Sequence, residues 1–572
     1  MVGTGGDKKG RDRHGAERPV GAPLPRRSVL RGAAQLGAAA LFGGAAGDAL
    51  RRAEDPAELS RVDAAPARGG ELTYGLRDEP DRLDPNLTTF RPSQVIFFQI
   101  FDTLVVRDER DKKFKPWLAT SWQASPDGRV YTFRIRPGVR FHDGAPFDAA
   151  AVKFNFDRTH DPKLATRCSA CALGYYDHAD VIDSSTVAIY LKGPWAPFLD
   201  ATSLYYRMVS PAAVQRYGDD DFGHHPVGTG PFRFVEWVPT NHVTLERFPD
   251  YNWAPSTMKH SGPAYLDRVT FRYLPEDGTR VSTLENGETQ IIDYAPPQDF
   301  ARLIETRRFD PSIGLPPGVP FNFAINITKA PTDELAVRQA MSYGIDRPTI
   351  CKTVFGPFQP LKAFQPAYGM LTPQTWSYDR QAGRQYQHDP AKAKALLDNA
   401  GWKPGPSGIR EKNGQPLTIV LGSWLHGVPE LMQSQLREVG IDLKIQIAEG
   451  SMITLVNENQ RKGASHMSPL PAPRSDPDAM SGILHSRNVG GGGFNFSFVK
   501  DPELDRLLDA QATEVDERKR AALLGQAQRL VMDRMYMLPV YEQDYVYLRA
   551  GRVHDLSFAI GSFPWLYDVS LA

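Results

Sequence analysis

The stretch from Trp122 to Phe156 constrains the fold more than any other, because its turn residues and apolar residues specify local structure at each joint. Ser125 opens an S-P-D-G sequence, in which proline fixes one backbone angle and glycine accepts a conformation that a Cβ would oppose. The β-branched and aromatic residues from Val130 to Ile135 predict a strand. The alternation from Val139 to His142 predicts a second short strand after a proline–glycine turn.

Three helices are predicted from their N-terminal caps. Asp148 is placed to accept a hydrogen bond from the first turn of a helix, and Phe147 and Val152 have the spacing of a hydrophobic staple. Asp333 precedes apolar residues that recur at every fourth position, and Asp389 is followed by a proline suited to the first helical turn. Each aspartate therefore predicts the start of a helix.

The second half of the chain alternates strand and helix patterns. Strands are predicted for Phe321 to Ile327, Leu417 to Leu421 and Ile441 to Ile447, and a helix for Pro429 to Val439 lies between the last two. A last strand, rich in tyrosine and valine, is predicted for Pro539 to Leu548. The strand–helix–strand order indicates an α/β lobe.

The residues YTFRIRPGVRFHDGAPFDAAAVKFNF in the first stretch carry a resemblance to a known family. They resemble a signature of the extracytoplasmic solute-binding proteins of ABC transporters, family 5, the peptide/nickel-binding class. Ala150 or Ala151 stands where an acidic residue is usual. Further stretches resemble motifs of the family and follow in the same order; they are residues 227–237 (VGTGPFRFVEW), 246–253 (ERFPDYNW), 337–347 (VRQAMSYGIDR) and 491–498 (GGGFNFSF).

This resemblance covers the chain from about Glu71 to its C-terminus and implies a fold. The fold is α/β, a two-lobed periplasmic-binding-protein fold of type II, in the large three-domain cluster, with a first lobe that is discontinuous in sequence. The predicted division is a signal peptide of twin-arginine type (1–49), a linker (50–70), lobe I (71–113 with 226–320 and 529–572), an extra domain of lobe I (114–225) and lobe II (321–528).

The N-terminal residues have the pattern of an export signal. Arg26 and Arg27 follow a polar, basic segment, and residues 32–47 form a short apolar run of mainly alanine and glycine. The paired arginines resemble the twin-arginine signal. A membrane anchor is the alternative, but the run is shorter than the ~20 residues that a spanning helix needs. The sequence thus predicts a periplasmic or otherwise extracytoplasmic protein.

Composition argues against several other classes of protein. Lysine plus arginine equals aspartate plus glutamate, at 67 residues each, so the chain lacks the basic excess of a nucleic-acid-binding protein. Three cysteines in 572 residues do not build a disulfide scaffold. Cys168 and Cys171 form a CxxC pair that is either a local disulfide or two thiols, because a zinc site needs a second pair. We predict no metal site and no cofactor.

Catalytic motifs are absent or incomplete in the sequence. No H-E-x-x-H or G-x-S-x-G motif occurs. The S-x-x-K match from Ser256 to Lys259 lacks the S-D-N and K-T-G motifs that accompany it in penicillin-binding enzymes. We therefore predict that the protein is not an enzyme.

The resemblance implies candidate ligand-binding residues in a loop of the second lobe, Pro471 to Asp478. In peptide-binding members an aspartate just upstream of an Asp-Pro pair binds the α-ammonium of the ligand, and here Pro473 stands in its place. Arg474 is instead a candidate for a bidentate contact with a carboxylate, and Asp476 is a second candidate. The alternative for both side chains is an ordinary salt bridge of the loop.

Four further ligand-binding residues are predicted from the resemblance. Trp424 follows a strand at the place where the family has an aromatic wall, and the alternative is a core tryptophan. Tyr294, Asn326 and Asn495 complete the predicted site, and Asn495 belongs to the GGGFNFSF motif.

These observations predict the function. The resemblance implies the extracytoplasmic substrate-binding component of an ABC importer, which captures an oligopeptide or a peptide-like solute in a cleft between its lobes. The lobes close by a hinge motion, and the closed form docks on the permease subunits in the membrane. We expect a monomer that binds no nucleic acid. The alternatives are a receptor for a non-peptide ligand, namely a metal chelate, an anion or a glycoside, and a secreted hydrolase.

Overall fold

A computed structural model describes residues 66–165, 175–447, 460, 462–490 and 493–572. The predicted signal peptide, most of the predicted linker, and Cys168 and Cys171 lie outside the described residues, so these predictions stay predictions. The remaining cysteine, Cys351, is a buried free thiol.

The first lobe is built on a large mixed sheet whose strands come from three separate parts of the chain. Its central strand, Glu71–Leu76, runs parallel to Arg268–Tyr273 on one side and to Ile291–Ile292 on the other. In the described part of the chain the order of the strands is Phe309–Gly314, Tyr545–Ala550, Ile291–Ile292, Glu71–Leu76, Arg268–Tyr273, His242–Arg247 and Phe232–Val238. This order confirms the predicted discontinuous first lobe.

A smaller antiparallel sheet contains strands from the stretch between Trp122 and Phe156. The Val130–Ile135 strand has the predicted bounds and pairs with Ala119–Ala124 and with Thr186–Leu191. Tyr176–Asp183 pairs with the other edge of Thr186–Leu191. The Ala149–Thr159 helix packs on this sheet and buries its apolar face there.

The strand predicted for Val139 to His142 is wrong. The segment makes only an isolated bridge, between Arg140 and Pro146. Gly138 and Gly144 adopt the left-handed conformation, with φ of 81° and 85°, and turn the chain at each end. The residues between them fold back on themselves and do not join a sheet.

Two of the three predicted helix caps are confirmed. The carboxylates of Asp148 and Asp389 each accept a hydrogen bond from the amide three residues later, at 2.9 Å and 2.8 Å. The cap at Asp333 is wrong, because its amide donates to the carbonyl of Lys329 and holds it in the preceding turn. The helix that follows is Leu335–Gly344, and it has no side-chain cap.

The second lobe is built on a smaller mixed sheet. In the described residues its strands follow the order Asp442–Ile447, Thr418–Ser423, Met467–Pro469, Phe321–Ile325 and Met537–Tyr541. The predicted strands of this lobe are present with slightly shifted ends, and the Val428–Glu438 helix connects two parallel strands as expected for an α/β lobe.

Two connections join the sheets of the two lobes. The first crossover is residues 315–320, and the second crossover is residues 542–544. The single strand predicted for Pro539 to Leu548 is wrong, because Met537–Tyr541 belongs to the second-lobe sheet and Tyr545–Ala550 to the large sheet. Both halves are rich in tyrosine and valine, so composition does not mark the break. The predicted boundary at residue 529 placed both strands in lobe I; the division into domains stays a prediction.

Separate hydrophobic cores support the two lobes. The core of the first lobe includes Tyr74 and Phe133 and lies between the large sheet and the smaller antiparallel sheet. The core of the second lobe includes Phe323 and Leu421. Leu548 belongs to a further cluster on the opposite face of the large sheet, because successive residues of a strand point to opposite faces.

The remaining elements connect these layers. The further helices are Arg91–Ile100, Pro162–Ala165, Phe198–Leu204, Pro211–Asp221, Asp277–Glu285, Pro297–Glu305, Arg347–Phe355, Pro390–Asn399, Ala479–Leu484, Pro502–Thr513 and Glu517–Asp533. The further short strands are Val105–Arg107, Phe114–Pro116, Lys403–Pro404, Arg410–Lys412, Gln415–Pro416, Val553–His554, Ser557–Ala559, Phe563–Trp565 and Ser570–Leu571. In the part of the chain that was described, no helix is long and apolar enough to cross a membrane.

Candidate functional site

The predicted ligand loop, Pro471 to Asp478, lies against the first lobe. The hydroxyl of Ser475 donates a hydrogen bond to the carboxylate of Asp200. The guanidinium of Arg474 lies over the ring of Tyr205, 5.5 Å from its centroid. Asp200 and Tyr205 lie on or directly after one helix of the first lobe. The loop therefore closes one side of the space between the lobes.

The backbone of Arg474 is held by the first crossover. Gly318 has a φ of 105°, and a Cβ at this position would meet the backbone nitrogen and oxygen of Arg474 inside van der Waals distance. The amide of Val319 donates to the carbonyl of Ala472 at 3.0 Å. Among the described residues no carboxylate lies within 4 Å of the Arg474 guanidinium. Its role in ligand binding stays a prediction, and the side chain has hydrogen-bonding capacity for it.

Asp476 forms a salt bridge within the second lobe. Nη1 of Arg520 donates to Oδ2 of Asp476 at 2.9 Å, and Nη2 donates to Oδ1. The two side chains are 13% and 7% exposed, for Asp476 and Arg520 respectively, so the pair is nearly buried. This arrangement fits the alternative of an ordinary loop salt bridge, and no contact tests a ligand role for Asp476.

Buried carboxylates surround the contact between the loop and the first lobe. Burial, and then the charge of Asp476, raise the pKa of Asp200 to about 6, while Arg107 at 3.4 Å acts in the opposite direction. Burial and Asp476 also raise the pKa of Asp478. Because these groups hold protons more tightly than usual, the negative charge at this contact is reduced in mildly acidic solution.

Tyr294 lies in the first lobe, beside the strand that follows the second crossover. Its φ is 45°, a left-handed conformation that is uncommon for a residue with a Cβ. Its half-exposed ring meets Tyr545 edge to face at 5.8 Å, and Arg77 lies 5.2 Å over it. Strained backbone at a partly buried aromatic residue such as this is found at many binding sites.

Arg91 joins this group and was not predicted from the sequence. Its guanidinium lies 3.3 Å over the ring of Tyr545 and 4.6 Å from that of Phe563. Its Nη2 donates to the hydroxyl of Tyr547 and to the carbonyl of Ser562, both at 2.7 Å. No carboxylate of the described chain lies within 4 Å of it.

One sequence signal could have singled out Arg91. It is the first residue of the Arg91–Ile100 helix, whose first turn holds no acidic residue. The positive end of a helix dipole disfavours a cation at this position. The helix itself therefore does not favour an arginine at this position, and its presence indicates an interaction with a group outside the helix.

The other predicted site residues lie apart from these two groups. Asn326 is buried, and its side-chain oxygen accepts hydrogen bonds from the amide and the hydroxyl of Thr328. Asn495 is also buried, and its amide donates to the carbonyls of Leu484, His485 and Val499. Trp424 is half-exposed after its strand and is not part of the second-lobe core formed by the described residues. Their ligand roles stay predictions.

Other features of the described residues point to no second site. Within the described ranges, no group of three or more histidine, cysteine or acidic side chains is placed to hold a metal ion. Two surface cavities, of about 420 Å³ near Arg247 and about 480 Å³ near His160, contain none of the predicted ligand residues.

The two-lobed arrangement is that of the periplasmic binding proteins, as the structural comparisons confirm. NikA from Brucella suis, solved in complex with Fe(III)-EDTA, has a TM-score of 0.76 and 27% identity, covering 88% of this chain and 100% of that chain. DppA from Helicobacter pylori, solved in complex with the peptide STSA, has a TM-score of 0.75 and 25% identity, covering 88% and 98%.

The chain belongs to the bacterial extracellular solute-binding proteins, family 5, because the model of the middle region of that family matches residues 113–492, well over half of the chain. The glutathione-binding protein GsiB of Escherichia coli (strain K12) is 29% identical over 520 residues, which cover 87% of this chain and 95% of GsiB. The predicted recognition and function are confirmed: the protein is a solute-binding component of an ABC importer. Members of the family are periplasmic and work with ABC permeases.

Proposed function

We propose that this protein captures a small peptide or peptide-like solute between its lobes and, once closed, delivers it to the permease of an ABC importer. The observation that carries the proposal is the contact of the Arg474 loop with the first lobe across the space that the two crossovers bound. A ligand that touches both lobes stabilises the closed form by the contacts it makes only there.

Bonds from the second lobe to both crossovers support a hinge motion. The amide of Thr372 donates to the carbonyl of Gly318 in the first crossover, at 2.8 Å. The amide of Glu542 in the second crossover donates to the carbonyl of Gln365, at 2.7 Å. Residues 363–375 thus bond to both crossovers, the two short connections about which the lobes can rotate.

The relatives support a peptide-like solute. GsiB is named for glutathione, and DppA was solved with a peptide. A metal chelate is the second candidate, because NikA was solved with Fe(III)-EDTA and a chelate can be bound through its organic part. Pro473 at the place of the family's aspartate disfavours recognition of an α-ammonium by this loop.

Thermal unfolding of the mature protein with a ligand panel tests the proposal. The panel holds oligopeptides, glutathione, metal–EDTA chelates and glycosides. We expect stabilisation by peptides or glutathione, of about 2.7 kcal/mol at a ligand concentration one hundred times the Kd. Stabilisation by glycosides alone, or by no compound, would contradict the proposal. Chromatography of the incubated peptides checks that the protein returns them uncleaved, which excludes the hydrolase.

The details of export and assembly belong to the same proposal. We propose that Arg26 and Arg27 direct export by the twin-arginine route, and that the mature protein acts as a monomer without nucleic acid. Replacing both arginines by lysine should abolish periplasmic accumulation, and sedimentation of the mature protein should give the mass of one chain. Unchanged export of the lysine variant would exclude the twin-arginine route.

A further inference from the structure

A continuous stack of aromatic rings and guanidinium groups runs through the first lobe. Arg91 lies between the rings of Tyr545 and Phe563. Phe563 stacks on Phe98, with 5.1 Å between the ring centroids and 22° between their planes. Arg207 lies 3.9 Å over Phe98. We call these five side chains the arginine stack.

The arginine stack extends from the hinge to the contact between the lobes. Tyr545 directly follows the second crossover. At the other end, Arg207 comes two residues after Tyr205, the ring on which Arg474 of the second lobe lies. The stack thus runs through the core of the first lobe, between the hinge and the contact between the lobes. Arg91 retains partial exposure there.

The three arginines of this region lack carboxylate partners. No aspartate or glutamate of the described chain lies within 4 Å of Arg91, Arg207 or Arg474. Arg207 is 2% exposed, and its Nε and Nη2 have no hydrogen-bond partner among the described residues. Burial raises the pKa of the neighbouring Asp102 to about 7, which weakens its counter-charge in mildly acidic solution. Unpaired buried charge is costly, and in this region of the first lobe no described carboxylate lies at ion-pair distance from the positive charges.

The three arginines differ in whether they can contact a ligand directly. Arg91 and Arg474 are partly exposed residues, one on each lobe, so both can meet a ligand. Arg207 is too deeply buried for direct contact, and its charge adds to the potential and orients Phe98. An arginine that stacks on aromatic rings presents its edge, where the N–H donors are, to a planar carboxylate.

We propose that Arg91 and Arg474 each bind a carboxylate of the same solute, one from each lobe, while Phe563, the partly exposed ring of the arginine stack, contacts its apolar part. The substrate class is a peptide-like compound with at least two carboxylates. This inference rests on the proposed function and adds the chemistry of the ligand to it. Closure brings the two arginines toward each other, and only an anion between them relieves their repulsion.

Calorimetric titration of the mature protein tests the inference. The probes are glutathione, Gly-Glu and Ala-Ala-Glu, each of which has two free carboxylates, and each is compared with the same compound after both carboxylates are converted to carboxamides. We expect at least one dicarboxylate to bind, and its carboxamide form to bind about tenfold to a hundredfold more weakly, because hydrogen bonds to charged groups are lost. Binding should also weaken as salt concentration rises.

The variants R91Q and R474Q test whether these two arginines bind the carboxylates of the probe. Each substitution should lower the affinity for the dicarboxylate about tenfold or more and leave the affinity for its carboxamide form nearly unchanged. The matched control is R302Q, which removes an exposed arginine paired with Glu285 and Asp299 and should change neither affinity. Circular dichroism checks folding. If R91Q fails to fold, R91K replaces it: lysine keeps the charge but lacks the planar fork of donors, so R91K should bind the dicarboxylate more weakly than the parent and bind its carboxamide form nearly unchanged.

The outcomes separate the inference from the proposed function. Equal affinity for the dicarboxylates and their carboxamides, or full affinity in R91Q and R474Q, would overturn the arginine assignment and leave a peptide receptor standing. Binding of none of these probes in either form would overturn both.

Discussion

Arg474 and Asp476 lie two residues apart in one loop and have different surroundings. Both carboxylate oxygens of Asp476 accept from Arg520, while Arg474 lies over Tyr205 with no described carboxylate within 4 Å. Removing one partner of a nearly buried pair leaves the other charge desolvated and unpaired. We therefore expect Asp476 to act on stability and Arg474 to act on ligand binding.

The variant D476A tests this assignment. It should lower the free energy of unfolding by about 3 kcal/mol, because Arg520 loses its partner in a nearly buried position. Urea unfolding measures the change, and calorimetry on the folded protein should give ligand affinity close to that of the parent. The control is D299A, which breaks the exposed pair with Arg302 and should cost less than about 1 kcal/mol. Lost affinity at unchanged stability would instead make Asp476 a ligand-binding residue.

Among the elements, the first crossover positions the ligand loop through Gly318. The variant G318A should reduce both stability and ligand affinity, because its φ of 105° disfavours a Cβ and that Cβ would meet the backbone of Arg474. The matched control is G278A, where a Cβ meets no atom within 4 Å, and it should not destabilise the protein. Unfolding and titration of both variants check this. Unchanged affinity in a folded G318A protein would show that the crossover does not place the loop.

The second crossover carries two carboxylates, and among the described residues neither of them forms a salt bridge with a cation. Burial raises the pKa of Glu542 and of Asp544 to about 7 each, and the charge of Glu542 raises that of Asp544 further. The amide of Phe364 donates to Asp544 at 2.7 Å, and the side chain of Gln374 bonds to Glu542. The thiol of Cys351 and the hydroxyl of Tyr378 are the other titratable groups that interact with Glu542. These contacts do not replace the hydration that the carboxylates lose.

This arrangement makes stability depend on pH with a definite sign. The folded-state pKa values lie above the unfolded values of about 4, so the folded protein binds these protons more tightly. Their contribution to stability is therefore greatest below about pH 4 and is lost as pH rises toward 7. The variants E542Q and D544N should be more stable than the parent at pH 8, with a difference that shrinks toward pH 4.

Urea unfolding at pH 4.5, 6 and 8 measures this difference. The control E305Q changes an exposed carboxylate on the Pro297–Glu305 helix and should follow the parent. A stability difference that stays constant with pH, or that grows as pH falls, would contradict the assignment of these two groups.

Local elements were predicted well where one short segment contains the whole signal. The strand at Val130–Ile135 and the caps at Asp148 and Asp389 depend on adjacent residues and are confirmed. The strand at Val139 to His142 failed because alternation alone does not supply a partner strand. The break at the second crossover was missed because strands on both sides have the same composition.

At the scale of the whole molecule, the two-lobed fold was predicted from several motifs in a fixed order. The candidate site was predicted only in part, because its residues come together from distant segments. The loop with Arg474 lies within the family pattern, whereas Arg91, Phe98, Arg207 and Phe563 meet only after the first lobe has folded. No spacing in the sequence links these four residues.

Native mass spectrometry of the protein purified from the periplasm would identify the solute that it binds. We expect a complex of one chain with one small solute that carries at least two carboxylates, and mild denaturation should release the solute for identification. The sample should be compared with R91Q prepared in the same way, which should retain less of the solute. A solute without carboxylates would contradict the arginine assignment, and a protein that is empty and gains no stability from any compound of the panel would contradict the receptor itself.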